Sequence, residues 1–351
     1  MPTDLVYHEL FAKHVIAEGH PERPERVQVA LKSISDRGIL RNGEVGVVTP
    51  SKAVVEHVLA VHDEDYLSQI EQMSRQGGGY FTSDTGVNSY TYDAAMYAAG
   101  GAVNLVQRIW EGTSQNGFLL CRPPGHHAER DRAFGFCFIN NIAVAAQYLV
   151  DNLHLRRVMI VDYDAHHGNG TQNAFYSTDK VLYVTLQQDG RTLFPGSGSV
   201  EETGEGEGEG YTVNLPVYPG AGDKSFELLF GDIIEPVADV YKPQFVLVSA
   251  GFDCHFSDPL TNLGLTTSGI AMMNTRLKRI AERHSNGRLA FFLEGGYNLD
   301  VMARTSVNLM EELCNEEITL FNDRHDESTL CLDTTRRLST EIRRRFEGRF
   351  F

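Results

Sequence analysis

The chain has 351 residues, 42% of them hydrophobic, with a formal net charge of −16 and a pI near 5.2. That length supplies one large core or two modest ones, and no stretch reaches the ~18–20 consecutive apolar residues of a membrane span. The acidic balance speaks against a protein that tracks nucleic-acid phosphates and suits a cationic partner such as a polyamine or a basic peptide.

The N-terminus, MPTDLVYHELFAKHV, has no basic segment followed by an apolar block, so no secretory signal is expected. The first apolar run is GFLLC (117–121), followed by RPPGHHAE and a helix-like segment, NNIAVAAQYLVDNL (140–153). RVMIV (157–161) runs into DYDAHHGNG, and VLYVTL (181–186) into QQDGRTLFPG. ETGEGEGEGYT (202–212) alternates Gly with Glu, can bury little, and reads as a solvated loop before a strand. A second helix-like segment, KSFELLFGDIIEPVADVY (224–241), precedes FVLVSA (245–250) and GFDCHFSDP. A third, TSGIAMMNTRLKRIAERHS (267–285), precedes LAFFL (289–293) and EGGYN. The tail, TRRLSTEIRRRFEGRFF (335–351), is locally basic and could pack on the domain's own acidic surface or on a neighbouring subunit. The five cysteines form no CxxC pair and read as reduced thiols of a cytoplasmic protein.

The five apolar runs are hydrophobic throughout rather than alternating, as expected of strands covered on both faces of a parallel sheet. Their alternation with helices predicts an open α/β sheet with right-handed crossovers in one domain, residues 1–351. Each polar cluster then sits just beyond a strand, where ligands bind in such sheets. Five clusters converging on one rim is the first functional inference.

In an extended segment residues two apart face the same way, so Asp164 and His166 can project together with Asp162 one step deeper. Asp253 adds a second carboxylate, and the set suits a borderline divalent ion such as zinc. Three protein ligands leave a position open for water and substrate, the catalytic rather than the closed arrangement. A lone Asp or His at a strand end more often caps a helix or satisfies a core contact. The whole constellation does not read that way, because buried carboxylates need compensation. Two anionic ligands weaken the ion's effect on its water, so a base is needed. The pair His126–His127 could supply it, with Asp162 placed to pair with one histidine and Asn169 to orient another. Tyr297, after the flexible Gly295–Gly296, could donate a hydroxyl. Together these parts describe metal-assisted amide hydrolysis.

RPPGHHA, DYDAHHGNG, AGFD and EGGYN, in this order, resemble the zinc-dependent histone deacetylase superfamily. That group includes acetylpolyamine amidohydrolases and the bacterial and archaeal deacetylase-like amidohydrolases. The likeness runs over about residues 5–312, leaving 313–351 as a C-terminal extension; HPERPER near residue 20 and Asn169 place it on the class II side. It implies the arginase–deacetylase fold, eight parallel strands with helices on both faces. It further implies Asp164, His166 and Asp253 as zinc ligands, His127 as general base, His126 as its buried neighbour paired with Asp162, and Tyr297 as the hydroxyl that stabilises the oxyanion. Gly135 and Phe136 in GFCF and Phe194 in LFPG match the walls of an acyl-lysine tunnel, and Asp84 an acidic rim residue. Potassium is implied at two places: Asp162, Asp164, His166, Thr185 and Leu186 match one, and Phe175, Thr178, Val181 and Tyr211 the other.

Leu260 stands near the position where polyamine-selective relatives can carry a glutamate, which ranks acyl-lysine peptides or proteins above acetylated polyamines. A homo-oligomer is compatible with the sequence. Two rivals stay open: an arginase-like two-metal ureohydrolase using Asp253, His255 and Asp258, and a relative that binds acyl-lysine without catalysis.

Overall fold

The computed structural model describes residues 2–41 and 45–351. The strands, in chain order, are β1 (Thr3–Val6), β2 (Val45–Val48), β3 (Gly78–Tyr80), β4 (Gly86–Asn88), β5 (Asn116–Leu119), β6 (Val158–Asp162), β7 (Val181–Gln188), β8 (Thr212–Val217), β9 (Phe245–Ala250) and β10 (Leu289–Leu293). Eight of them form one parallel sheet in the order β2-β1-β5-β10-β9-β6-β7-β8, while β3 and β4 make a separate antiparallel pair. Helices flank both faces, as burial of both sides of the central strands requires.

The five apolar runs read from the sequence are β5, β6, β7, β9 and β10, and they are contiguous in the sheet. Their carboxyl ends therefore lie side by side along one edge, which brings five polar clusters together. Apolar content announces the remaining strands less clearly. β1 carries a buried Asp4, ion-paired with Arg108 Nε at 2.6 Å and accepting from the Ser114 hydroxyl at 2.8 Å. β2 is an outer strand with Val47 exposed, and β8 contains Asn214 and Pro216. A proline is tolerated in β8 because that strand closes the other edge of the sheet.

The helices at 140–153 and 267–285 appear as Asn141–Asp151 and Thr267–His284, capped by Asn140 Oδ1 and Thr266 Oγ1. The segment expected at 224–241 begins one residue earlier and contains a π-turn over Phe230–Ile234 just before Pro236. One expectation needs revision, and one open alternative is decided. In the Gly–Glu loop Glu205, Gly206, Glu207 and Glu209 are exposed, but Gly204, Gly208 and Gly210 are buried, and a Cβ on Gly208 would lie 2.3 Å from the Tyr176 carbonyl oxygen. The basic tail packs on its own chain. Its helix, Thr329–Arg345, runs beside β8, with Ile342, Phe346 and Phe350 buried, Ser339 donating to Asp232 and Arg345 meeting Glu201 at 3.3 Å. All five cysteines are buried free thiols.

Candidate active site

β6 ends at Asp162, and its carboxylate organises the turn beyond the strand. Oδ1 accepts the Asp164 backbone N–H at 3.1 Å, while Oδ2 meets His126 Nδ1 at 3.1 Å and the Tyr183 hydroxyl at 3.0 Å. Past Asp162 the chain bends, so Asp164 and His166 do not meet by strand alternation as their spacing had implied. They meet because Asp164 Oδ1 accepts the His166 N–H at 2.8 Å and lies 3.1 Å from His166 Nδ1. Asp253, just past β9, accepts the Ala165 N–H at 2.9 Å and places its other oxygen 2.9 Å from His166 Nδ1. The potential ligand atoms of Asp164, His166 and Asp253 lie within 4.8 Å of one another.

Both carboxylates are fully buried. Burial, reinforced by Asp164, pushes the Asp253 carboxyl up to about 7, although His166 pulls against it. Burial alone would lower His166, but hydrogen bonds and charge from Asp164 and Asp253 raise it to about 10. A divalent cation would discharge both acids and leave the imidazole neutral, so the donor set fits a metal with mixed nitrogen and oxygen ligands. Gly295 passes directly over the pair, its N–H donating to Asp164 Oδ2 at 2.7 Å. A Cβ there would lie 2.4 Å from Asp253 Oδ2 and 2.5 Å from Asp164 Oδ2, which is why the EGGYN turn needs glycine at that point.

The adjacent histidines, beyond β5, are electrostatically opposite. Burial disfavours charge on His126, yet Asp164, Asp162 and Glu294 outweigh it and hold the group at about 10. His127 is driven well below 6.5 by burial and by the neighbouring His126 and His166. Its Nδ1 faces Asn169 Oδ1 at 2.7 Å. One histidine is thus a cation at neutral pH and the other a neutral acceptor. Glu294 was not singled out in the sequence, although it opens the EGGYN motif. It accepts the Gly125 and His126 backbone N–H groups at 2.7 and 3.0 Å, and burial raises it to about 7.

Tyr297 is 8% exposed, and burial pushes its hydroxyl well above 10, so it is a proton donor at neutral pH. Asp258 clamps its backbone, accepting the Tyr297 N–H at 2.8 Å and the Leu260 N–H at 2.9 Å. The Arg26 guanidinium lies 4.9 Å above the Tyr297 ring, and its Nε donates to the Gly296 carbonyl at 2.6 Å. HPERPER, which carried only a class resemblance, therefore has a structural task. Its Glu22 is fully buried between Arg26, at 3.0 Å, and Arg122, which it contacts with both oxygens. Burial would raise Glu22, but Arg122 and Arg26 bring it down to about 2. Glu22→Gln would leave two buried guanidinium groups uncompensated and is expected to cost about 3–5 kcal/mol of stability at neutral pH. A carboxyl held below its ordinary 4.5 contributes stability fully above that value and loses it as pH falls towards about 2. Denaturant titrations of both proteins should therefore differ most at neutral pH and converge as pH falls from 4.5 towards about 2. An undiminished gap at low pH would exclude this account.

Phe194 leans on His127 with centroids 5.2 Å apart and on Phe134 at 4.7 Å, while Phe136 stands edge-on to Tyr297 at 6.0 Å and to His20 at 4.8 Å. The two predicted walls thus flank the histidine side and the tyrosine side of the site. Gly135 joins them at φ +52°, where a Cβ would lie 2.4 Å from His127 Cδ2 and 3.0 Å from Phe194 Cε1. Gly135→Ala should displace His127 and cut kcat by at least about tenfold, read by steady-state kinetics, because small misplacements near a reacting group are costly. Asp84 is exposed on the loop whose Thr85 hydroxyl accepts the Phe136 N–H at 3.1 Å; its carboxylate accepts from Thr82 and Thr85. Leu260 is half-buried beside the Tyr297 clamp.

Of the residues matched to potassium, Thr185 pairs in register with Asp162, and Leu186 follows it in β7. Phe175, Thr178 and Val181 lie along the turn leading into β7, and the Tyr211 carbonyl accepts the Tyr183 N–H at 2.9 Å. Among the described residues Asp253, His255 and Asp258 do not form a second metal-holding group: His255 Nε2 faces Asp323 at 2.8 Å, and Asp253 groups instead with Asp164 and His166.

The family model described as a histone deacetylase domain matches residues 20–313. The chain belongs to the histone deacetylase family. Within it, the chain is similar to a probable deacetylase of Archaeoglobus fulgidus, 43% identical over 300 residues covering 86% of this chain and 82% of that protein. It is 36% identical to a histone deacetylase-like amidohydrolase of Pseudomonas aeruginosa, covering 85% and 77%. Histone deacetylase 15 of Arabidopsis thaliana is 37% identical over 304 residues, 86% of this chain but 54% of that longer protein. A crystal structure of the HDA15 HD domain superposes with a TM-score of 0.88 at 34% identity, covering 98% of this chain and 96% of that one. The likeness to deacetylases and amidohydrolases supports hydrolase activity for this deacetylase-family chain.

Proposed function

We propose that the protein is a zinc-dependent amidohydrolase that removes acetyl or related short acyl groups from the ε-amine of lysine in peptides or proteins. The observation that carries this reading is the grouping of a neutral His127, a protonated Tyr297 and the Asp164–His166–Asp253 set, with Phe194 against His127 and Phe136 against Tyr297. The acyl-lysine tunnel implied by the resemblance would suit a lysine stem of four methylenes, and Leu260 brings no charge that would draw a second amine.

A zinc ion held by Asp164, His166 and Asp253 would polarise the acyl carbonyl and acidify a water. The chain's own groups supply the proton traffic. His127 takes a proton from the attacking water at Nε2, since Nδ1 is bonded to Asn169. The Tyr297 hydroxyl donates to the carbonyl oxygen as negative charge develops there. Asp162 holds His126 beside His127 through Nδ1; the proton gained by His127 then goes to the leaving amine. Monovalent ions at the Asp162–Leu186 and Phe175–Tyr211 positions form part of the same reading.

Acetylated polyamines are the second reading; the net charge of −16 suits them as it suits basic peptides. Side-by-side rates on acetyl-lysine peptides and acetylated polyamines, with metal analysis of the purified protein, test both. Higher kcat/KM on the polyamines would reverse the ranking, and no hydrolysis of either panel would refute the proposal.

A further inference from the structure

Glu129 lies two residues beyond His127 and takes no part in the proton transfers assigned to the site. We propose that Glu129 is a positioning residue that fixes the tautomer of His127 through Asn169. The inference rests on the reading of His127 as proton acceptor and explains how its acceptor nitrogen is selected.

Glu129 is 8% exposed. Its Oε1 accepts Asn169 Nδ2 at 2.6 Å, and both oxygens accept Asn173 Nδ2 at 3.0 Å. Asn169 and Asn173 stand one turn apart on the helix Asn169–Phe175, so a single carboxylate reaches both. Arg132 approaches Oε1 at 3.8 Å from the exposed side. The backbone is fixed as well: the Glu129 N–H donates to the Arg132 carbonyl at 3.1 Å, and its carbonyl faces His62 Nδ1 at 2.8 Å. His62 Nε2 accepts the Asn140 N–H at 2.9 Å, so His62 Nδ1 must be the donor to Glu129.

An asparagine side chain can turn either its oxygen or its nitrogen towards a neighbour, and the surrounding hydrogen bonds decide which. The Glu129 carboxylate only accepts. So does the His127 carbonyl oxygen, 3.4 Å from Asn169 Nδ2. Turning the amide over would set its oxygen against both. Asn169 Oδ1 must therefore face His127 Nδ1 at 2.7 Å, which requires the hydrogen on Nδ1 and leaves the lone pair on Nε2. A carboxylate at position 169 would accept whichever way it turned; an amide needs a third group to orient it. The anionic end of the chain Glu129–Asn169–His127 also favours the imidazolium that forms when Nε2 takes a proton.

The test uses the zinc-loaded full chain as wild type, Glu129→Gln, Asn169→Asp and the double variant. Glu129→Gln should lower kcat on an acetyl-lysine peptide by roughly 10–100-fold, with KM and bound zinc unchanged. In the double variant the amide introduced at position 129 can donate to the carboxylate introduced at position 169, which accepts from His127, so most of kcat should return. A purely structural role for Glu129 would not be relieved by exchanging charge and amide. Independently of turnover, 15N NMR of the histidine side chains should show His127 as the Nδ1–H tautomer in wild type and a mixture in Glu129→Gln. Unchanged kcat in Glu129→Gln, no recovery in the double variant, or an Nε2–H tautomer in wild type would each overturn the inference. Should Glu129→Gln not fold, the wild-type tautomer still decides. Should no acylated substrate be cleaved by wild type, the proposed function fails while the NMR result still judges Glu129.

Discussion

Asp253→Ala is expected to abolish divalent-metal binding and, with it, hydrolysis. Asp253 is one of two buried carboxylates facing His166, and it also accepts the Ala165 N–H, so truncation removes a ligand and loosens the turn that carries another. Removing an outer partner of a metal site typically costs about 10–100-fold in affinity or activity, and a direct ligand should cost more. Asp253→Asn separates the two effects, because its amide oxygen can still accept from Ala165 while the charge is lost. Metal analysis after gel filtration should find about one ion per wild-type chain and little in either variant. Normal metal content in Asp253→Ala would remove Asp253 from the ligand set, and with it the assignment of this cluster as the metal centre.

Tyr297→Phe is expected to reduce kcat by about 10²–10³-fold while leaving metal content and fold intact. The substitution keeps the ring that Arg26 covers and Phe136 meets edge-on, and it keeps the backbone N–H that Asp258 accepts. Only the hydroxyl is removed. Burial holds that hydroxyl protonated, so its loss should appear as a missing donor to developing negative charge and not as an altered titration. Full turnover in Tyr297→Phe, with zinc bound, would exclude the tyrosine from oxyanion stabilisation.

Legibility in the sequence followed local chemistry. β5, β6, β7, β9 and β10 were visible because each contains a short, predominantly apolar run, against which the acid and imidazole groups beyond it were conspicuous. β1 and β8 were less visible, since Asp4 and Asn214–Pro216 interrupt their apolar character and are accommodated only by Arg108 and by an edge position. HPERPER showed only a resemblance. That Glu22 and Arg26 are buried, and that Arg26 supports the turn carrying Tyr297, depends on contacts across 268–270 residues of chain. The partners of Asn169 were half legible: its link to a histidine was expected, its link to Glu129 was not.

Fold class, family and the candidate ligand and catalytic side chains were readable before any coordinates, because they depend on residue type, order and spacing along the chain. Which histidine is charged and which neutral, how Asp164 and His166 meet, what supports Tyr297 and where the basic tail lies emerged from the packed molecule alone. These depend on burial and on distances between strands far apart in sequence, where a few ångströms set the sign of an electrostatic effect and no local pattern records them.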